Sequence, residues 1–182
     1  MKLCIATGVA GLSIEDSTGK NDTPLYDFDL AIERIKAARA AIDASTPVAQ
    51  ASCLLTARCE AWLVGDPNPF RTSMGRLAAF AEAGADCLYA PGVSKPDEIA
   101  MIVKAVAPKP VNVLVSTNNC NLKVSQLTDL GVRRISVGGV LARVAWGAFI
   151  RAAKEIQNTG SFTAFADAMP FGELNDLFLN RS

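Results

Sequence analysis

Residues 77–92 read LAAFAEAGADCLYAPG and join a helical pattern to a strand pattern through one glycine. The alanine-rich run 77–83 is typical of a helix, and Gly84 follows it where helices commonly end in a left-handed residue. The apolar run 87–90 has the composition of a parallel strand that is covered on both faces. The stretch therefore predicts a helix followed at once by a buried parallel strand.

The same local pattern recurs elsewhere in the chain. Ala6-Thr7-Gly8-Val9-Ala10 and Asp129-Leu130-Gly131-Val132-Arg133 also place a glycine before a β-rich run. We predict strands over residues 9–14, 48–57, 87–90, 111–115 and 134–137. We predict one helix after a cap at Asp27 or Asp29, and another whose cap and early proline lie in Ser94-Lys95-Pro96-Asp97. Further helices are predicted over 77–83, 122–130, 141–156, 162–169 and 174–179.

Strict alternation of strands and helices is compatible with two architectures. One is a doubly wound open sheet, and the other is a (β/α)8 barrel. No GxGxxG motif follows a strand, so a dinucleotide site of the Rossmann type is not supported. The chain has 182 residues and is 50% apolar, which predicts a single domain over residues 1–182.

Composition narrows the possible functions. Lys plus Arg and Asp plus Glu both number 18, so the net charge is zero and neither nucleic acid nor an anionic membrane is expected as a partner. The sequence contains no histidine, which excludes Ser-His-Asp triads, Cys-His pairs and HExxH metal sites. No run of 18 or more apolar residues is present to span a bilayer. A small molecule is therefore the expected ligand.

The cysteines and the N-terminal segment indicate a cytoplasmic protein. The five cysteines include no CxxC pair, so we predict buried free thiols in a reducing compartment rather than disulfides or a zinc site. The apolar run 3–14 resembles a short signal peptide but ends in Glu15-Asp16, not in a small-residue cleavage site.

Polar residues follow several predicted strands at the edge where either architecture binds its ligands. Glu15 and Arg58 end the first two strands, and Asn112 lies within the fourth. Together they could bind Mg²⁺ and a small carboxylate, since Mg²⁺ prefers oxygen ligands and arginine binds carboxylates bidentately. Glu15 and Arg58 could equally form a simple cross-strand ion pair, and Asn112 could cap a loop. Gly138-Gly139 could present backbone N–H groups to a phosphate or form only a tight turn.

Several ordered segments resemble the isocitrate lyase and phosphoenolpyruvate mutase (phosphonomutase) superfamily. Residues 11–17, GLSIEDS, resemble its strand that ends in Ile-Glu-Asp, and residues 55–61, LTARCEA, resemble its Ala-Arg-Thr-Glu/Asp-Ala strand end. Residues 83–92, AGADCLYAPG, resemble its Ala-Gly-Ala-Asp segment, and 111–114 and 131–138 continue the similarity in order.

The resemblance implies a TIM-type (β/α)8 barrel and a Mg²⁺-dependent enzyme that cleaves or rearranges C–C or P–C bonds of 2-oxo acids or phosphonates through an enolate. It implies that Arg58 is catalytic and binds the substrate carboxylate or phosphonate, that Asn112 contacts the substrate at the rim, and that Glu15 reaches the metal through water. It also implies a homo-oligomer, a dimer or tetramer, in which the helices of residues 140–182 pack on or swap with a partner subunit.

The sequence also departs from the family pattern. Three initial strand–helix units, with the Asp residues that bind Mg²⁺ directly, have no counterpart, so about five of eight strands are expected and the direct metal ligands are missing from this chain. The Lys-Lys-Cys-Gly-His loop of the lyases is also absent from the sequence. One alternative is therefore a truncated, catalytically inactive family member. Another is an open five-stranded sheet that binds a phosphorylated ligand at Gly138-Gly139.

Overall fold

The computed structural model describes residues 1–45, 53–116 and 122–179. In chain order the elements are α1 (Lys2–Ala6), β1 (Gly11–Glu15), α2 (Phe28–Ser45), β2 (Leu54–Arg58), α3 (Pro69–Glu82), β3 (Cys87–Tyr89), α4 (Pro96–Val106), β4 (Val111–Leu114), α5 (Val124–Asp129), β5 (Arg134–Ser136), α6 (Val140–Thr159), a 3₁₀ helix (Thr163–Asp167) and α7 (Phe171–Leu179). The start of the second predicted strand, 48–52, and Cys120 lie outside the described residues.

The order of the strands decides between the two predicted architectures. All five strands are parallel and neighbour one another in the order β1-β2-β3-β4-β5. A doubly wound sheet reverses its strand order at a switch point, whereas a (β/α) barrel adds each strand next to the preceding one. The predicted α/β fold of the TIM-barrel type is therefore confirmed, with five of its strands in the described residues.

The two faces of the sheet differ in chemistry because successive side chains of a strand point to opposite sides. Leu55, Leu88 and Val113 are fully buried and belong to one apolar core with side chains of the helices. The helical members of this core include Ile35, Ile42, Leu77, Phe80, Ile99, Ile102 and Leu127. The helices thus cover one face, and the alternate side chains of the strands point to the other.

The helix starts follow from local hydrogen bonding. Asp27 Oδ1 accepts from the backbone N–H of Asp29 at 3.0 Å, so Asp27 fulfils the predicted capping role for α2. Helix α4 begins at Pro96, as the sequence predicted. Helix α3 begins at Pro69, earlier than predicted, because proline suits the first turn of a helix and Asp66 orders the preceding turn by accepting from the N–H of Asn68 at 2.7 Å.

Glycine is required at two of the predicted helix ends. Gly84 and Gly131 have φ angles of +101° and +87°, in the left-handed region. A Cβ atom at Gly84 would lie 2.8 Å from Cγ of Arg39, and one at Gly131 would lie 2.8 Å from Cγ1 of Val103. These residues therefore both end a helix and permit close packing of its neighbour.

Two local predictions were wrong. Residues 2–6 form the short helix α1, and the first strand begins at Gly11 rather than at residue 9, because Gly8 has φ +78° and turns the chain after the helix. The segment 162–169 forms a 3₁₀ helix over Thr163–Asp167 rather than an α-helix. Pro170 disfavours the helical conformation of the residue before it, which limits the length of this segment.

The chain divides into two compact units, Met1–Gly138 and Gly139–Ser182. The second unit contains α6, the 3₁₀ helix and α7, and Glu155 of α6 accepts hydrogen bonds from the backbone N–H and the hydroxyl of Thr163 at 2.9 and 2.5 Å. The single domain expected over 1–182 stays a prediction. Across the described residues, no helix combines the length and hydropathy needed to cross a membrane.

Candidate active site

The face of the sheet opposite the helices of the first unit lines a cavity of about 560 Å³ within that unit. Its polar lining residues are Ser13 on β1, Thr56 and Arg58 on β2, Tyr89 on β3, Asn112 on β4, and Arg134 and Ser136 on β5. Two of the three predicted site residues, Arg58 and Asn112, line this cavity. The third, Glu15, ends β1 beside Arg58.

Glu15 and Arg58 are paired across two neighbouring strands. Their Cα atoms are register partners, and Arg58 Nη1 lies 3.2 Å from Glu15 Oε2. Arg58 Nε also donates to Glu60 Oε1 at 2.8 Å. The guanidinium of Arg58 thus contacts two carboxylates, and the three side chains together carry one net negative charge. We call Glu15, Arg58 and Glu60 the acidic cluster.

The environment of the acidic cluster shifts two of its pKa values. Burial lowers the pKa of Arg58, but the hydrogen bond that Arg58 donates to Glu60 and the charges of Glu60 and Glu15 outweigh it, and the pKa is raised. Burial raises the pKa of Glu60, although the hydrogen bond and charge of Arg58 oppose this. Glu60 is therefore a partly desolvated carboxyl group at a strand end, which is a common property of residues that transfer protons.

The ring of Tyr89 is a third contact of the Arg58 guanidinium. The guanidinium carbon lies 5.0 Å from the centroid of the Tyr89 ring, within the range of a cation–π contact. Since Glu15, Glu60 and Tyr89 all contact it, the guanidinium of Arg58 is fixed in orientation at the edge of the cavity.

Asn112 is almost fully buried, at 2% exposure, and connects two strands. Its Nδ2 donates to Ser136 Oγ at 2.9 Å, whereas its buried Oδ1 has no hydrogen-bond partner among the described residues. In the described part of the chain, Asn112 therefore bonds a neighbouring strand rather than a loop.

A buried ion pair lies next to the ends of β1 and β2. Asp16 directly follows Glu15, and its Oδ1 accepts from the backbone N–H of Glu60 at 2.8 Å. Asp16 Oδ2 pairs with Arg76 Nη1 at 3.1 Å, and Arg76 Nη2 donates to the carbonyl of Tyr26 at 2.7 Å. The Asp16–Arg76 pair thus fixes the backbone next to both carboxylates of the acidic cluster.

Sequence reasoning missed Glu60, the Asp16–Arg76 pair and Arg134 as parts of this arrangement. Asp16 and Glu60 lie beside the predicted site residues in the sequence, so their positions were available as a signal. Arg134 Nη1 donates to Thr56 Oγ1 at 3.1 Å across the face of the sheet. These two residues are 78 positions apart, and no local sequence pattern links them.

The described residues do not form a complete Mg²⁺ site. They contain no group of three or more Asp, Glu or Cys side chains that could hold a metal ion. Glu15 and Glu60 supply oxygens suited to Mg²⁺, but both already contact Arg58. The outer-sphere role of Glu15 stays a prediction.

None of the described cysteines lines the cavity, whereas Gly138 does. Of the cysteines in the described residues, Cys53, Cys59 and Cys87 are buried and free as predicted, but Cys4 is exposed. Burial, with the nearby charge of Asp16, raises the pKa of Cys59 to about 12, so it is a poor nucleophile. Gly138 has φ +54°, which favours the tight-turn interpretation of Gly138-Gly139.

Comparison with known proteins identifies the lineage. The family model described as phosphoenolpyruvate phosphomutase matches residues 1–157. A solved structure described as a candidate lyase/mutase from Burkholderia cenocepacia J2315 is 43% identical, with a TM-score of 0.90 over 100% of this chain and 63% of that chain. The uncharacterized protein Rv1998c of Mycobacterium tuberculosis (strain ATCC 25618 / H37Rv) is 28% identical over 165 residues, which cover 91% of this chain and 57% of that protein.

A more distant structure shows the same fold. Oxaloacetate acetylhydrolase in complex with its product oxalate is 21% identical, with a TM-score of 0.75 over 98% of this chain and 63% of that chain. The present chain thus spans about three-fifths of the length of these relatives. The predicted superfamily is confirmed, and the chain belongs to the phosphoenolpyruvate mutase/isocitrate lyase superfamily.

Proposed function

We propose that this chain forms part of a Mg²⁺-dependent lyase or mutase that acts on a small 2-oxo acid or phosphonate through an enolate. The observation that carries the proposal is the acidic cluster at the carboxyl ends of β1 and β2, where barrel enzymes hold their reacting groups. Cleavage or rearrangement of a C–C or P–C bond is the proposed reaction class. An inactive family member is the alternative.

Arg58 would bind the acidic group of the substrate. Its guanidinium is positioned by Glu15, Glu60 and Tyr89, so little side-chain freedom is lost when a substrate binds. A guanidinium also stabilises negative charge that develops on a substrate oxygen. Asn112 lines the same cavity and would contact the substrate at the rim.

The net negative charge of the acidic cluster supports a role for a divalent cation. An anionic substrate next to Glu15 and Glu60 is repelled unless further positive charge is present. Mg²⁺ would supply that charge and stabilise the enolate oxygen. Glu15 would contribute through a water molecule, and the direct ligands would come from residues other than the acidic cluster.

The names of similar proteins support the substrate class. Oxaloacetate acetylhydrolase was solved with oxalate, and other similar structures are described as 2,3-dimethylmalate lyase and as a candidate phosphonomutase. All these names refer to small carboxylates or phosphonates, or to enzymes that act on them. Oxalate, which mimics the pyruvate enolate, is therefore a suitable probe for this chain.

The test is a thermal melt of the chain with and without Mg²⁺ and oxalate. Ligand that binds only the folded state raises its stability by about 2.7 kcal/mol at 100-fold excess over Kd. We expect a rise in Tm only when both are present, and we expect Arg58→Lys to reduce it because lysine cannot reproduce the bidentate contact.

Arg71→Lys is the matched control, because Arg71 lies on α3 and does not line the cavity. The same shift in Arg58→Lys as in Arg71→Lys would show that Arg58 does not bind the ligand. A cooperative melt without any shift is the result expected of an inactive family member.

We further propose a cytoplasmic homo-oligomer, a dimer or tetramer, that uses the C-terminal helices. Trp146 and Phe149 on α6 and Phe171 on α7 are 62%, 62% and 86% exposed. Clusters of exposed large apolar side chains commonly mark protein interfaces. Sedimentation velocity at micromolar concentration checks this proposal, and a single monomeric species would contradict it.

A further inference from the structure

Few groups near the cavity are suited to transfer a proton. An enolate becomes a keto product only when its carbon receives a proton, so the proposed chemistry needs a proton donor there. The sequence contains no histidine. Burial raises the pKa of Cys59 to about 12 and also raises the pKa of Cys87, and no described cysteine lines the cavity. Neither an imidazole nor a thiol of the described residues is therefore placed to supply this proton.

The carboxylates nearest the cavity are already engaged. Glu15 and Glu60 contact the guanidinium of Arg58 at 3.2 and 2.8 Å, and neither is among the described residues that line the cavity. The polar side chains that do line it there carry aliphatic hydroxyls, guanidinium groups, an amide and the phenol of Tyr89. A phenol is a stronger acid than an aliphatic hydroxyl or a guanidinium. Among the described lining residues, Tyr89 is therefore the best suited to transfer a proton.

The fold places Tyr89 on the central strand of the sheet, beside Arg58. Tyr89 is the register partner of Arg58 on β2 and of Asn112 on β4. The preceding residue, Leu88, is fully buried in the core against the helices, so Tyr89 lies on the cavity face. The guanidinium carbon of Arg58 lies 5.0 Å from the centroid of the Tyr89 ring. A substrate whose acidic group is bound by Arg58 therefore lies close to this phenol.

We propose that Tyr89 is a catalytic residue that donates a proton to the enolate carbon. The inference rests on the proposed function for the enolate itself. In this step the electron pair of the enolate double bond forms a C–H bond, the carbonyl is restored, and the O–H bond of the phenol breaks. The resulting phenolate lies beside the positive charge of Arg58 and regains a proton from water. In the reverse step the phenolate removes a proton from the methyl group of pyruvate.

The second tyrosine of the sequence provides a matched control. Tyr26 also contacts an arginine, since the guanidinium carbon of Arg34 lies 4.1 Å from the centroid of its ring. Unlike Tyr89, it is not among the described residues that line the cavity. Tyr89→Phe and Tyr26→Phe thus each remove one phenol hydroxyl and keep the ring and its cation–π contact.

The test follows the exchange of the methyl protons of pyruvate in D₂O with Mg²⁺ by nuclear magnetic resonance, together with the Tm shift caused by Mg²⁺ and oxalate. General acid–base catalysis contributes about 10²–10⁴-fold to a rate. We expect Tyr89→Phe to slow the exchange by at least about 100-fold and to keep the Tm shift, because Arg58 is unchanged. Tyr26→Phe should keep both. Exchange in Tyr89→Phe at the rate of the unsubstituted chain would overturn the proposal.

A measurement on the unsubstituted chain covers the case in which Tyr89→Phe does not fold. Oxalate with Mg²⁺ should slow the nitration of Tyr89 by tetranitromethane relative to that of Tyr26, as read by peptide mass spectrometry. Equal protection of both tyrosines, or protection of neither, would refute the contact between the ligand and the phenol on which the proposal depends.

The proposed function and the role of Tyr89 fail in different ways. An unsubstituted chain that shows neither the Tm shift nor the exchange would refute both. A Tm shift with an exchange that persists in Tyr89→Phe would refute only the role of Tyr89. Absence of exchange from the unsubstituted chain refutes the role of Tyr89 whether or not the Tm shift occurs.

Discussion

The buried pair of Asp16 and Arg76 should make a large contribution to stability because it connects three parts of the chain. Asp16 is 2% exposed and Arg76 is 9% exposed. Arg76→Met keeps the apolar stem of the side chain but removes the bond to Asp16 Oδ2 at 3.1 Å and the bond to the Tyr26 carbonyl at 2.7 Å. Asp16 is then left as a buried charge that keeps the bond from the N–H of Glu60 but has lost its cation.

Removing one partner of a buried ion pair typically costs about 3–5 kcal/mol. We therefore expect Arg76→Met to lower the free energy of unfolding by that amount, measured by urea denaturation at pH 7. Asp16→Asn should also be destabilising, since it leaves the Arg76 guanidinium without its charged partner. The double variant should cost less than the sum of the two single variants by at least about 0.5 kcal/mol, because either change alone breaks the same pair.

The exposed pair of Lys36 and Glu33 provides the control. Their side chains are 56% and 64% exposed, and Lys36 Nζ lies 2.8 Å from Glu33 Oε1. Lys36→Met should cost no more than about 1 kcal/mol, since exposed ion pairs contribute little. A cost for Arg76→Met as small as that for Lys36→Met, or additive costs in the double variant, would refute the reasoning.

Three further predictions concern packing, thiol reactivity and pH. Gly92→Ala should cost about 1–3 kcal/mol in urea denaturation, since Gly92 has φ +103° and a Cβ there would lie 2.5 Å from Cβ of Trp62. Gly75→Ala on α3, where a Cβ would meet no atom within 4 Å, should instead stabilise by about 0.5–1 kcal/mol, and a similar cost for both variants would contradict this. Iodoacetamide at pH 8 should alkylate exposed Cys4 well before Cys59, whose pKa is raised to about 12; equal rates by mass spectrometry would be inconsistent with the burial of Cys59. Because burial raises the pKa of Glu60 in the folded protein, the stabilisation by its proton is complete below the usual carboxyl pKa and is lost as pH rises through the folded value. The Tm of the unsubstituted chain relative to Glu60→Gln should therefore fall as pH rises above about 4, and a relative rise would contradict this.

Much of the fold could be predicted because its signals are local. Glycine after a helix at Gly84 and Gly131, and short apolar runs after each, locate β3 and β5 within a residue or two. The architecture could not be decided by the same means. Both candidate folds alternate strands with helices, and only the spatial order of the strands separates them.

The candidate site was predictable only in part. Glu15 and Arg58 end neighbouring strands, so their positions in the sequence already suggest that they meet. The contacts of Asp16 with Arg76 and of Thr56 with Arg134 span 60 and 78 residues, and they depend on strand register and side-chain direction. The sequence pattern indicates which face of a strand a residue occupies, but it does not indicate which distant side chain lies opposite.

If the face of the sheet beside the acidic cluster supports enolate chemistry, the chain should promote hydrogen–deuterium exchange at the methyl group of pyruvate, which is the most direct measurement. The chain is incubated with pyruvate in D₂O, and loss of the methyl proton signal is followed by nuclear magnetic resonance. We predict exchange that requires Mg²⁺, exceeds the rate in buffer with Mg²⁺ alone, and is lost in Arg58→Lys but kept in Arg71→Lys. Exchange at the buffer rate, in a chain whose Tm rises with Mg²⁺ and oxalate, would contradict the claim, because the site would then bind an enolate mimic without forming an enolate.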